Sequence, residues 1–182
     1  MLPTLFAACM LSGCAIAISP DVRTHVTTRQ EWNGPSFKRM TILVGDLDRS
    51  VRLWRDILKF EVTVNPSGGA NSYSYPVFNI DPAATLRYAM ISAGPSQQRT
   101  VALAEVKGQQ LVIPQSPRVA AAVLNANGRF HDILRLARAE GFAIIEPVEL
   151  KSAQGVGIEG AFVDWDGHLI VIYEFPKAAD AK

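Results

Sequence analysis

Residues 41–60 read TILVGDLDRSVRLWRDILKF, and residues 127–144 read NGRFHDILRLARAEGFAI. In the first stretch a short β-rich run, 40–45, meets Asp46, a residue type that caps helices through its carboxylate. Leu47, Val51, Trp54, Ile57 and Leu58 then recur at helical spacing on one face, while Asp48, Arg52 and Asp56 stand four apart on the other. Phe60 to Val64 is the next strand. In the second stretch Phe130, Ile133, Leu134 and Ala137 follow the i, i+3, i+4, i+7 pattern, Gly141 stops the helix, and Phe142 to Ile145 is a strand.

The surroundings repeat as well. After a turn-rich loop at 65–72, strands are expected at 73–80, 85–92 and 99–106. A linker with two prolines, 107–118, leads to a strand at 119–124. Beyond the second helix, a turn-rich stretch at 151–157 precedes a hairpin of 158–164 and 168–174 around Asp166-Gly167. A strand, a helix and three strands thus occur twice. The expected fold is α+β: two βαβββ modules, 39–106 and 119–176, related by a pseudo-twofold, with curved mixed sheets enclosing a cleft.

The 182-residue chain is 48% hydrophobic and 19% charged, which excludes a disordered chain and suffices for a buried core. Eighteen basic and 17 acidic residues give a net charge of +1, so no basic excess exists to bind nucleic acid. The two cysteines, Cys9 and Cys14, both precede the folded body. That body therefore has no disulfide, no thiolate zinc site and no cysteine nucleophile.

Residues 2–13, LPTLFAACMLSG, form an apolar, uncharged run too short to span a membrane. With Cys14 it ends in Leu-Ser-Gly-Cys, which resembles a bacterial lipobox, although no Lys or Arg precedes it. The resemblance implies a signal peptide over 1–13, a diacylated Cys14, a polar tether over 14–38 and a cell-envelope location. That location is the periplasmic face of the outer membrane in a Gram-negative cell, with membrane contact through the lipid alone. An ordinary signal cut elsewhere, or a buried apolar segment, are the other readings. Residues 177–182 are a tail, and His25 is read as a solvated tether residue.

The motif from Thr41 to Phe60, and Gly155 to Glu174 with its turn Asp164-Trp165-Asp166-Gly167, resemble the opening and closing elements of a vicinal oxygen chelate module. This is the glyoxalase, bleomycin-resistance and extradiol dioxygenase superfamily. Two departures are Lys59, where the family usually has glycine, and Trp165, where it usually has proline. The resemblance implies a cleft in which His, Gln or Glu side chains from four strands hold a divalent metal that polarises vicinal substrate oxygens. At the matching positions this chain has Arg39, Glu105, the region of Ala120 or Ala121, and Val171. A guanidinium, an alanine and a valine cannot ligate, and one carboxylate does not make a transition-metal site. No metal and no other cofactor is expected.

Arg39 and Glu105 are instead expected to project into one cleft from neighbouring strands, either as a structural ion pair or as a ligand-contacting or catalytic one. Alternation nominates Thr41, Leu43, Val101, Leu103, Leu169, Val171 and Tyr173 for the same concave face. His131 and His168 read as solvated residues, and Trp54 and Phe130 as core. Tyr73, Tyr75 and Phe78 read as edge-strand packing or as a lid. Three functions follow. One is a metal-free binder of a small, mostly apolar or aromatic molecule. Another is a superfamily enzyme with an absent or non-standard metal site. The third is an envelope interaction domain with a closed cleft. A homodimer is favoured slightly over a monomer, and the linker is long enough to allow module exchange between chains. Replacing the lipidated residue, Cys14→Ser, is expected to release the protein from the membrane fraction or stall its precursor, read by fractionation and blotting; unchanged membrane association contradicts the lipobox.

Overall fold

A computed structural model describes residues 34–65, 68–69 and 71–176. The expected signal peptide, Cys14, His25, the tether up to 33 and the tail 177–182 lie outside the described residues. One unit runs from Phe37 to Lys182; of the other, Met1–Ser36, only 34–36 are described.

In the larger unit β1 (Met40–Val44) enters α1 (Leu47–Arg52), where the Asp46 carboxylate accepts the Arg49 amide at 3.0 Å. The helix then widens into a π turn over Leu53–Ile57, with the Leu58 amide donating to the Leu53 carbonyl five residues back. The wider turn brings Leu53, Trp54, Ile57 and Leu58 all into the core. Lys59 closes the helix at φ 64°, the left-handed conformation that glycine adopts without strain and lysine does not.

β2 (Glu61–Asn65), β3 (Thr85–Ser92) and β4 (Val101–Lys107) complete a four-stranded sheet in the order β1-β4-β3-β2, with β1 parallel to β4 and the other pairs antiparallel. The second module repeats this with β5 (Ala121–Asn125), α3 (Phe130–Ala139), β6 (Ala143–Ser152), β7 (Gly155–Val163) and β8 (Leu169–Glu174), ordered β5-β8-β7-β6. The paired βαβββ architecture is the one the sequence implies.

Two local expectations are corrected. Residues 73–80 are not a strand: they hold the short helix α2 (Ser74–Val77). Pro76 has no N–H to offer a ladder, and the Ser72 hydroxyl accepts the Ser74 amide, which favours a turn. The strand expected at 142–145 runs on to Ser152 as β6, past an irregularity between Ile145 and Val148 where Pro147 sits.

One apolar core joins the two modules. α1 and its π turn contribute Leu47, Val51 and Trp54, α3 contributes Phe130, Ile133, Leu134 and Ala137, and the helix-facing sides of both sheets close over them. The 164–167 turn fastens the modules together. Asp166 accepts from the Gly45 amide at 3.1 Å and from Arg49 Nη2 at 3.3 Å, and Trp165 packs edge-on against Phe142 at 4.4 Å beneath the Arg49 guanidinium.

Among the described residues Glu105 is the one carboxylate in the buried set, 1% exposed. It accepts the Leu47 amide at the start of α1 at 2.8 Å, both Nε and Nη2 of Arg87 on β3, and the Lys107 ammonium at 3.3 Å. Glu174 holds the equivalent place in the second module, accepting the Gly128 and Phe130 amides at the start of α3. Burial pushes the Glu105 carboxyl up, but Arg87, the Leu47 amide and Lys107 together outweigh it and hold the group down at about 2. A carboxylate whose folded pKa is depressed stabilises above its unfolded pKa and loses that contribution as pH falls through the folded value. Stability is therefore expected to drop between about pH 4.5 and 2 by up to about 3 kcal/mol on account of this group. The Glu105→Gln variant is expected to flatten that part of a denaturant-monitored pH profile; an unchanged profile contradicts the assignment.

Candidate functional site

A cavity of about 620 Å³ opens between the edge strands of the two sheets. Met40 to Leu43 of β1 form one wall, and Ala120 to Ala122 with Leu169 and Ile170 form the other. Phe78 adds aromatic surface, and Trp54, itself in the core, backs the wall. The volume and the apolar lining are those of a small-molecule site. Its charged groups gather at one end: Arg118 from the linker, and Asp164 and His168 from the turn before β8.

Asp164 is nearly buried, its side chain 6% exposed. Its Oδ1 accepts the amides of Asp166 at 3.0 Å and His168 at 2.9 Å, and its Oδ2 lies 3.1 Å from His168 Nδ1. Burial lowers the imidazole pKa, but the hydrogen bond and charge of Asp164, with the charge of Asp166 behind it, outweigh burial and raise it above the ordinary histidine value. Arg118 Nε donates to the Gly167 carbonyl at 3.2 Å and Nη1 to the Ser116 hydroxyl at 3.3 Å, which holds the guanidinium at the rim.

The residues nominated from sequence separate into three places. Thr41, Leu43 and Leu169 line this cavity. Arg39, just before β1, shares the face of Thr41, and its Nη1 donates to Met90 Sδ at 3.4 Å. Val101, Leu103 and Glu105 are on the opposite, helix-facing side of the sheet, Leu103 fully buried and Val101 packed against the common core. The pairing of Val44 with Glu105 and of Ile42 with Leu103 fixes that parity. The expected Arg39–Glu105 pair is therefore corrected: the two lie on opposite faces, and Glu105 takes Arg87 and Lys107 instead. Val171 lies on the face of the second sheet away from α3, in a row with Ile145, Ala161 and Val123. Tyr173 lines a separate, shallower cavity of about 400 Å³ beside Glu159 and Phe175.

Arg118, Asp164 and the inward placement of His168 escaped the sequence reading. The spacing of Asp164 and His168 around Asp-Gly reads as turn chemistry, and that is also what it is. Only the fold shows that the turn forms a cavity wall. His131, by contrast, is exposed on α3, and Trp54 and Phe130 are core residues, 1% and 2% exposed.

The residues present do not fit the metal that such a cleft implies. Arg39 cannot ligate, Ala121 and Val171 carry no donor, and Glu105 points away from the cleft into its own ion-pair network. Among the described residues no group of three or more His, Cys, Asp or Glu converges as a metal site would require.

No family model and no curated protein matches the chain. Among solved structures, it is similar to a glyoxylase/bleomycin resistance protein/dioxygenase domain from Frankia sp. EAN1pec. That likeness has a TM-score of 0.54 at 18% identity, over 79% of this chain and 94% of the other. An integron cassette protein from the mobile metagenome of V. cholerae is similar at TM-score 0.48 and 20% identity, over 80% and 98% of the two chains. The genomically encoded fosfomycin resistance protein FosX from Listeria monocytogenes gives 0.48 at 14% identity, over 78% and 94%. With its two βαβββ sheets, the chain has the fold of the vicinal oxygen chelate superfamily; the Frankia likeness carries that statement.

Proposed function

We propose that this is an exported, lipid-anchored protein that binds a small, mostly apolar or aromatic molecule without a metal. The observation that carries the reading is the 620 Å³ cavity between β1 and β5, walled by aliphatic and aromatic side chains where the superfamily fold implies a cleft. Its openness favours a binder over an interaction domain whose cleft has closed. The anchor rests on Leu11 to Cys14 alone.

Isothermal titration of the full chain carrying Cys14→Ser, free of detergent, is expected to show saturable one-to-one binding of 1-naphthol. Ala121→Trp, which fills the cavity, is expected to abolish it. No binding, or binding that the variant leaves intact, overturns the reading. The second sheet leaves Val123, Ile145 and Val148 exposed, 59%, 47% and 61%, a face that a second copy would cover in a homodimer. Light scattering is expected to give the dimer mass, and a monomer mass at every concentration contradicts it.

A further inference from the structure

The cavity is apolar along its walls and charged at one end only, and we infer that its ligand is an amphiphilic acid: an apolar ring or chain carrying an anionic head group that seats against Arg118 and His168. The inference rests on the binding reading above and adds the chemical class of the ligand.

The charge at that end decides the sign. Arg118 contributes a permanent cation. Asp164 contributes an anion, but its acceptors are taken by two backbone amides and the His168 ring, so it offers little to a ligand cation. Asp166, which also bears on His168, is engaged by the Gly45 amide and by Arg49 of α1. With Nδ1 turned to Asp164, the other ring nitrogen of His168 has no partner among the described residues, and neither does Nη2 of Arg118. These are donors when the imidazole is charged. The end then carries net positive charge, and no other titratable side chain enters from β1, β5 or Phe78. An anion would accept from both donors in charge-assisted hydrogen bonds, which an uncharged head group can only match with weaker neutral ones.

Structurally, the same residues read as a turn clamp, with Arg118 tying the linker to Gly167 and Asp164 ordering the 164–168 turn. The clamp accounts for the bonds they make. It does not account for a histidine and an arginine both leaving donors at the end of an otherwise apolar cavity.

The test compares 1-naphthoate with 1-naphthamide, which share the ring and differ in head-group charge, by titration of the full chain carrying Cys14→Ser. At pH 6 the naphthoate is expected to bind about tenfold more tightly than the amide. That advantage is expected to shrink as pH rises through the raised His168 pKa, because the imidazolium is lost. His168→Gln is expected to remove the pH dependence of the acid-over-amide preference and Arg118→Gln to shrink that preference at pH 6, with circular dichroism showing that both variants remain folded. Equal affinity for acid and amide at pH 6, or a preference that neither variant alters, overturns the inference while 1-naphthol binding keeps the cavity reading intact. Failure of all three probes removes both.

Discussion

The Glu105 carboxylate lies where four elements meet. Its own strand β4 runs beside β1, Arg87 reaches it from β3, and α1 begins on it through the Leu47 amide. A helix start leaves amides without partners and carries partial positive charge, so a buried anion there is stabilised by the peptide groups as well as by its ion pairs. The position repeats. Glu174 on β8 accepts from the start of α3, so each module orients its helix on its sheet by a glutamate at the end of the strand parallel to the first. The two differ in environment: among the described residues Glu174 has no counterpart to Arg87, and of the pair only Glu105 is fully buried.

That placement changes the chemistry of the cleft. A glutamate on β4 reads from sequence as a surviving ligand of a metal centre. The register turns it to the helix side, and the opposite face of β4 is left to Ala102, Ala104 and Val106, all buried, Val106 in a second small core with Ile80, Ala84 and Leu86. What remains between the sheets is an apolar chamber whose charged groups come from the linker and the β7–β8 turn rather than from the four strands. The same turn carries Asp166 and Trp165, which fasten the modules across α1, so the cavity wall and the seam between modules are one structural feature.

How far the sequence carried varied with the kind of signal. The helix at 47–58 was legible because its apolar face and its Asp46 cap agree, and the second helix because Phe130, Ile133, Leu134 and Ala137 fall on one stripe, all buried. The repeat gave the topology. Strand parity on β4 was not legible. Val101 to Val106 is apolar on both faces apart from Glu105, so alternation gives no sign of which side is which, and a one-residue change of register reverses every side chain. The short helix at 74–77 was masked by its aromatics, which read as strand although Pro76 speaks against one. The polar end of the cavity was hidden because Asp164 and His168 serve the turn itself, and their second exposure to the cavity depends on β5 and the linker folding back over them.

The claim on which the functional account rests is that organic chemistry, not metal coordination, occupies this cleft. Native mass spectrometry of the protein as purified, paired with elemental analysis of the same sample, tests it most directly. The account predicts an organic mass adduct that leaves on denaturation and no stoichiometric zinc, nickel, manganese or iron. One transition-metal ion per chain, lost on replacing Glu105, would contradict it.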